Sequence, residues 1–266
     1  MLLGKKAQTT SVLHATKSDV VNQKCSKWNM WEISTIFAPA YSTRNTPCLV
    51  NNFEMKKAFS VYIVSYLALL ALMLMLLAIY PKPELHLTLN AYHTDICDTF
   101  FKLYSKLAEW PLYVLGLIPI FFKKYRLTLF YAICEVSGGL VVWILKRLFS
   151  APRPISVFAE LPDLTLPLVE GVKMHHSNSF PSGHTFTFFT FFTCCTLLLA
   201  YRLGQRNQIK WSLQYLWLLL PLLFAILGGY SRIYLSQHFL SDVCAGSVIG
   251  VIIPCLMYRF IGNKFF

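Results

Sequence analysis

The residues of this chain best suited to chemistry are histidines and cations that lie close to the ends of apolar segments. His238 and Asp242 are four positions apart, so on a helix they would share one face, where a carboxylate can orient an imidazole and stabilise its cation. Arg232 lies shortly before them and offers a planar guanidinium that suits phosphate. An oriented histidine beside a fixed guanidinium indicates nucleophilic attack on an anion.

A second cluster, Pro181-Ser182-Gly183-His184, comes directly before another apolar segment. Ser182 is a favoured helix cap, and Gly183 allows the backbone to approach a ligand closely. A helix that begins here would present free N–H groups and a partial positive charge to an anion. The cluster therefore predicts a phosphate site at a helix N-terminus.

A third cluster contributes two more cations, Lys146 and Arg153, the latter followed by a proline. With Arg232 they would surround a phosphate with positive charge. His184 and His238 are then two titratable groups, one for attack and one for proton donation.

The composition identifies the kind of protein that holds these clusters. Apolar residues make up 56% of the 266 residues and charged residues only 14%, a balance typical of membrane proteins. The formal net charge of +12 indicates topological anchoring and an anionic substrate rather than nucleic-acid binding, because the basic residues lie between apolar segments. The eight cysteines show no metal-ligand spacing, so we expect neither a zinc site nor a structural disulfide.

The chain divides at about residue 54. Residues 1–54 are polar and predict a disordered N-terminal extension, and 55–266 predict an all-α, polytopic membrane domain. Its fold would be a bundle of six transmembrane helices with an extramembrane loop between spans 3 and 4. Segment 110–122 is short for a span and would need residues that precede it. The predicted spans are 59–80, 110–122, 127–145, 185–201, 213–230 and 239–258.

The basic clusters at 56–57, 123–126, 202–210 and 259–264 fall on one side of such a bundle. The positive-inside rule makes that side, and both termini, cytoplasmic. The three reactive clusters fall on the opposite side, where cations are disfavoured unless an anionic ligand requires them. This places the predicted site on the outer face of a bacterial-type inner membrane.

The three clusters resemble the motifs of the type 2 phosphatidic acid phosphatase family, which also includes vanadium haloperoxidases and glucose-6-phosphatase. The resemblance extends from about residue 57 to 262, and eleven motif positions agree in type, order and spacing. These positions are Lys146, Arg153, Pro154, Pro181, Ser182, Gly183, His184, Ser231, Arg232, His238 and Asp242.

The resemblance implies a role for each residue. His238 would attack phosphorus and form a phosphohistidine with the support of Asp242, and His184 would protonate the leaving oxygen and then activate water. The chemistry would need no metal and no other cofactor, because cations and helix dipoles stabilise the charge. The phosphoryl oxygens would be held by Lys146, Arg153, Ser182, Gly183 and Arg232.

The sequence thus predicts an integral membrane phosphatase that hydrolyses a phosphorylated lipid, with no nucleic-acid partner and no obligatory protein partner. Candidate substrates are lipid A phosphate, undecaprenyl diphosphate, phosphatidylglycerophosphate and phosphatidic acid. A vanadate-dependent haloperoxidase is disfavoured by the six spans. A lipid-binding or transport protein without chemistry is disfavoured because binding alone does not need His184, His238 and Asp242.

For Glu135 and for the histidines of the loop before the second cluster, the sequence leaves two interpretations open in each case. Glu135 falls within a predicted span, where an ionisable group is either functional or hydrogen-bonded to another helix. His175 and His176 precede the second cluster and either contact a head group or lie idle in a loop. Gly246 and Gly250 have the spacing of a close-packing site between helices.

Overall fold

The computed structural model describes residues 52–205 and 211–266, and the regular structure in these ranges is helical. The predicted disordered extension, 1–54, lies outside the described residues except for its last three, which begin the first helix. Short 3₁₀ turns follow α3 and α9 at Lys106–Ala108 and Gly262–Lys264. The α-helices are α1 Asn52–Ile79, α2 Lys82–Leu89, α3 Asp95–Ser105, α4 Pro111–Phe121, α5 Tyr125–Phe149, α6 Pro154–Phe158, α7 Gly183–Gln205, α8 Trp211–Tyr234 and α9 Leu240–Ile261.

Five of the described helical segments are long and apolar enough to cross a membrane. They are α1, α5 with the short α6 that follows it, α7, α8 and α9. The predicted span at 110–122 corresponds to α4, which has only 11 residues and reaches roughly 16 Å, about half of a bilayer's hydrocarbon core. The described residues therefore form the helical bundle of an integral membrane protein, and the sixth span stays a prediction.

The α7 helix lies at the centre of the bundle and packs against α1, α5, α8 and α9. Its contact with α9 is close because α9 carries glycines there. A Cβ atom on Gly246 would lie 2.5 Å from the Ser182 carbonyl oxygen, and one on Gly250 would lie 2.6 Å from Phe189 Cβ. These distances confirm the packing role predicted for the two glycines.

The first helix is joined to this core by hydroxyl groups as well as by apolar contact. Tyr62 Oη lies 2.8 Å from Thr193 Oγ1 on α7, and Tyr66 Oη lies 3.2 Å from Ser247 Oγ on α9. Both tyrosines are buried, so these bonds satisfy hydroxyls that lipid could not.

Different side chains pack at the two ends of the bundle, so the ends can be distinguished. Near its C-terminal end α1 places Met73 in a cluster with Ile233 and Leu240, next to the turn between α8 and α9. At the other end, Phe130 near the start of α5 contacts the rings of Phe265 and Phe266. Residues 80–124 therefore connect opposite ends of the bundle.

Candidate active site

The three clusters of the sequence meet at a cavity of about 480 Å³. The predicted site residues come to it from four places: the C-terminal end of α5 with the loop after it, the first turn of α7, the end of α8 and the turn before α9. Ser182 and Asp242 are buried behind the cavity wall. The predicted site residues that line the cavity are Lys146, Arg153, Gly183, His184, Arg232 and His238.

His238 lies in the turn between α8 and α9 rather than on a helix. The backbone N–H groups of Gln237 and His238 donate to the Arg232 carbonyl at 2.9 and 3.1 Å, and α9 begins only at Leu240. The expectation that His238 and Asp242 share a helix face is therefore wrong, although the two side chains do meet. They meet because Asp242, in the first turn of α9, points back toward the N-terminus and accepts the N–H of Phe239 at 3.0 Å.

The ring of His238 is oriented by two groups at Nδ1. Asp242 Oδ2 lies 3.5 Å from Nδ1 and Ser179 Oγ lies 3.3 Å from it, while the Ser179 hydroxyl donates to Asp242 Oδ2 at 2.5 Å. Since the serine proton is engaged by the carboxylate, both groups present only lone pairs to Nδ1. The hydrogen bonds therefore place the imidazole proton on Nδ1 and leave the lone pair of Nε2 free.

His238 is only 2% exposed, which affects its charge. Burial lowers the pKa of His238 below its ordinary value; the hydrogen bond to Asp242 opposes this shift, and the cation of Arg153 adds to it. The imidazole is therefore neutral near pH 7, the state that a nucleophile needs.

Ser179 is a site residue that the sequence did not reveal. It is fully buried, and its N–H donates to the Ala151 carbonyl at 2.9 Å. This bond joins the loop after α5 to the loop before α7. A lone serine in a loop has no periodicity or spacing that would single it out.

Arg153 and Lys146 are held in place by backbone carbonyls. Arg153 Nε donates to the Ser177 carbonyl at 3.0 Å, and its Nη1 lies 3.2 Å from both the carbonyl and the side-chain oxygen of Gln237. Lys146 Nζ donates to the Asn178 carbonyl at 2.6 Å. Each bond uses only part of the donor capacity, so protons remain for an anion.

Arg232 is the most deeply buried of these cations, with 8% of its surface exposed. Its Nη1 donates to the hydroxyl of Ser105, and its Nε has no hydrogen-bond partner among the described residues. A buried guanidinium donor without a partner is costly, and an anion in the cavity would satisfy it. Three lysines outside the predicted set also line the cavity: Lys102, Lys106 and Lys173.

The N-terminus of α7 closes the cavity as the second cluster predicted. Ser182 precedes the helix, and its Oγ accepts the Thr185 N–H at 3.4 Å and the Thr185 hydroxyl at 2.9 Å. The hydroxyl of Ser182 thus caps the helix and does not line the cavity. A Cβ atom on Gly183 would meet no atom within 4 Å, so the backbone there faces open space in which an anion can approach the first N–H groups.

The two loop histidines differ in position. His175 lines the cavity, and burial, together with the charges of Arg153 and Lys173, lowers its pKa. His176 supports the loop instead, because its carbonyl accepts the Arg153 N–H at 3.0 Å.

Comparison with known protein families shows which family has these clusters of site residues. The model of the PAP2 superfamily matches residues 127–266, which include all three clusters and more than half of the chain. The chain belongs to the PAP2 superfamily. Its fold is also that of a solved PAP2 protein, the first transmembrane PAP2-type phosphatidylglycerolphosphate phosphatase from Bacillus subtilis. That structure has a TM-score of 0.52 and 21% identity, and the match covers 79% of this chain and 98% of the other.

Two curated relatives are lipid phosphatases by name. Lipid phosphate phosphatase delta of Arabidopsis thaliana is 28% identical over 63% of this chain and 39% of its own length. Lipid A 4'-phosphatase of Porphyromonas gingivalis is 26% identical over 66% of this chain and 71% of its own length. The chain thus spans well under half of the plant relative.

Proposed function

We propose that this PAP2 protein is an integral membrane lipid phosphatase that works through a phosphohistidine at His238. The observation that carries the proposal is the free Nε2 lone pair of a neutral, oriented imidazole in a cavity lined by Arg153, Arg232 and Lys146. The names of the relatives support a lipid phosphate as the substrate.

In the first step, Nε2 of His238 attacks phosphorus and the bond between phosphorus and the leaving oxygen breaks. Attack makes the imidazole cationic, and Asp242 stabilises that charge through Nδ1. The cations and the N-terminus of α7 bind the equatorial phosphoryl oxygens, where negative charge concentrates. His184, in the first turn of α7, donates a proton to the leaving alcohol.

In the second step, His184 takes a proton from water and the hydroxide attacks phosphorus. The bond from phosphorus to Nε2 breaks, its electron pair returns to His238, and inorganic phosphate leaves. Lipid phosphate and water are thus converted into the free alcohol and phosphate, with both histidines restored to their starting state.

We also propose that the domain has six spans, the sixth being formed jointly by α3, the 3₁₀ turn after it and α4. The support is that residues 80–124 connect opposite ends of the bundle. Tyr104 of α3 stacks on Phe188 of α7, and Thr128 of α5 donates to the Gly116 carbonyl of α4 at 2.9 Å. An even number of spans puts both termini on one side of the membrane, and the basic clusters make that side cytoplasmic. The cavity would then lie on the outer face of an inner membrane.

A cysteine-labelling experiment tests this topology. On a background without other accessible cysteines, a cysteine at the exposed position Glu160 should react with an impermeant reagent in intact cells. A cysteine at the exposed position Lys124 should react only after the membrane is opened. The reverse pattern would place the cavity in the cytoplasm.

The function is tested with purified protein and a panel of lipid phosphates. The panel contains lipid A phosphate, undecaprenyl diphosphate, phosphatidylglycerophosphate and phosphatidic acid, with phosphate release as the readout. The wild type should release phosphate from at least one of them and His238→Ala from none. Equal release by both proteins, or none by the wild type, contradicts the proposal.

A further inference from the structure

A second cavity, of about 420 Å³, lies at the opposite end of the bundle from the phosphate cavity, which is the one that His184 and His238 line. The start of α5 and the last turns of α7 contribute to its wall. Arg126 in this wall and Lys146 in the phosphate cavity are twenty positions apart on α5. That is about 30 Å along the helix, the thickness of a bilayer's hydrocarbon core. The two cavities thus lie at opposite surfaces of the membrane.

The wall of the second cavity is positively charged. Its cations are Lys123, Lys124, Arg126 and Arg202. Neither of the two ion pairs that the described part of the chain forms includes any of these four residues. The wall also contains no aspartate or glutamate from the ranges 52–205 and 211–266. The cavity is therefore complementary in charge to an anion.

The N-terminus of α5 favours an anion at the same place. This helix has 25 residues, and no side chain of the described residues caps it at Lys124. The first N–H groups of a helix have no acceptor within the helix. The Leu127 N–H donates to the Lys124 carbonyl at 3.0 Å, which leaves the N–H groups of Tyr125 and Arg126 for a ligand. Together with the helix dipole they suit a phosphate group.

An apolar groove of about 100 Å³ continues from the second cavity toward the middle of the bundle. It lies between α4, α5 and α7 and shares Leu127, Leu198 and Phe266 with the cavity. No charged side chain of the described residues lines it. Leu115, which does line it, keeps 44% of its surface exposed, so the groove opens to the surrounding lipid. A ligand that fills both spaces must carry an anion at one end and a hydrocarbon chain at the other.

The second cavity lies at the level of the lipid headgroups. The span that contains α5 begins at Tyr125, and Arg202 is in the last turn of α7. Tyr125 and Tyr201 line the cavity, and tyrosine is enriched where a membrane meets water. The anion that reaches these cations with a hydrocarbon chain attached is therefore the headgroup of a membrane lipid.

We infer that the second cavity and the groove together bind one anionic phospholipid, from the leaflet opposite the phosphate cavity. The phosphodiester lies between the four cations and the N-terminus of α5, and the first part of an acyl chain lies in the groove. A soluble phosphate would meet the same cations and leave the groove empty. The inference goes beyond the proposed phosphatase activity, because it concerns a different cavity and a lipid that is not hydrolysed.

The test titrates the purified protein in a neutral detergent with dioleoylphosphatidylglycerol and follows the rise of the unfolding temperature. Dioleoylphosphatidylcholine has the same acyl chains and no net charge, and glycerophosphoglycerol has the same headgroup and no chain. The anionic lipid should bind more tightly than either by about tenfold or more. Equal binding of the two lipids overturns the inference. Equal binding of the lipid and glycerophosphoglycerol also overturns it, because the site would then take soluble anions.

Two double variants assign the binding to the second cavity. Arg126→Gln with Arg202→Gln should weaken binding of the anionic lipid by about 30-fold, at about fivefold for each cation. Both arginines are exposed, so the protein should still fold. Lys56→Gln with Lys264→Gln is the matched control, because these lysines lie at the same end of the bundle and line neither the cavity nor the groove. An equal effect of the two double variants overturns the inference.

Two further variants test the alternative cavity and the groove. Lys106→Gln with Lys173→Gln removes two cations from the phosphate cavity and should leave the affinity for the anionic lipid unchanged. A loss in this protein alone would place the lipid in the phosphate cavity and overturn the inference. Leu198→Trp enlarges a side chain that lines both the second cavity and the groove. It should weaken binding of the lipid by about tenfold and not that of glycerophosphoglycerol, and unchanged lipid binding would exclude the groove.

Discussion

Replacing Gly183 by alanine should impair catalysis without loss of stability. A Cβ atom at this position meets no atom of the protein within 4 Å, and the residue begins α7 in the wall of the phosphate cavity. Alanine is the better helix former by about 0.5–1 kcal/mol. The variant should therefore unfold at the same temperature as the wild type or at a slightly higher one.

The added methyl group should weaken the binding of the phosphoryl group in the cavity. If a phosphoryl oxygen approaches the N-terminus of α7, the methyl of Gly183→Ala occupies part of its space. Overpacking of this kind usually costs about 1–3 kcal/mol, which corresponds to a loss of about 5- to 150-fold in kcat/KM. Inhibition by vanadate, which resembles the transferring phosphoryl group, should weaken by a similar factor.

Gly250→Ala is the matched control with the opposite signature. A Cβ atom at Gly250 would lie 2.6 Å from Phe189 Cβ and 2.7 Å from the Phe186 carbonyl oxygen, so alanine should lower the unfolding temperature. The assays are intrinsic fluorescence on heating in detergent and phosphate release from a short-chain lipid phosphate. Full activity and unchanged vanadate inhibition in a stable Gly183→Ala protein would refute an anion site at this helix end.

Four further outcomes are expected. His238→Ala should be inactive on both a lipid phosphate and p-nitrophenyl phosphate. His184→Ala should keep residual activity on p-nitrophenyl phosphate, because this leaving group needs little protonation. Residual activity in His238→Ala alone would reverse the roles of the two histidines. Ser179→Ala should lower kcat by about tenfold, because it removes a hydrogen bond to the Asp242 carboxylate that orients the nucleophile, and an unchanged kcat would contradict this. Phosphate release should persist in a chelator of divalent metals, since cations of the protein hold the phosphate, and loss of activity that magnesium restores would contradict this. Burial lowers the pKa of His86 to about 4, so the unfolded chain binds a proton first as the pH falls below 6.5, and this residue should remove about 3 kcal/mol of stability between pH 6.5 and 4. Thermal unfolding should show a loss that is smaller by this amount in His86→Gln than in the wild type, and an equal loss in both proteins would contradict this.

The sequence predicted the parts of the fold that depend on length and apolar composition. The segments at 59–80, 127–145, 185–201, 213–230 and 239–258 are long, uninterrupted and apolar, and each corresponds to a helix of the structure. Their ends could be placed only within a few residues, since the actual helices extend a turn or more into the flanking polar residues.

The packing of the segment before α5 could not be predicted from composition. The polar residues of α3, among them Asp95, Asp98 and Lys102, give it an amphipathic pattern that is typical of a surface helix. Its buried contacts, such as the stacking of Tyr104 on Phe188, arise only from tertiary packing. Periodicity reports which face of a helix is apolar and does not report what that face packs against.

The residues of the site also divide into those that the sequence could reveal and those that it could not. His184, His238, Arg153 and Arg232 belong to short motifs whose spacing could be read, and the structure brings them to one cavity. Ser179 belongs to no motif, because its role depends on two loops that meet in space. Contacts of this kind have no signature in a single sequence.

The helical pairing of His238 with Asp242 shows how a correct contact can come from a wrong local structure. Four-residue spacing suits a helix face, but the turn after α8 ends at Phe239 and only Asp242 is helical. The carboxylate reaches the imidazole through the capping geometry of α9. Spacing alone does not distinguish these two arrangements.

The central claim is a covalent phosphoenzyme at His238, and trapping that species tests it most directly. Purified His184→Ala protein, in which water is poorly activated, is mixed with p-nitrophenyl phosphate, whose leaving group needs little protonation. The reaction is quenched in base, the protein is digested, and the peptides are analysed by mass spectrometry. The expected result is a phosphoryl group on His238 that is stable in base and lost in acid, and that is missing from His238→Ala. Phosphate release by the wild type without a phosphorylated histidine in the trapped variant, or with the phosphoryl group on another residue, contradicts the mechanism.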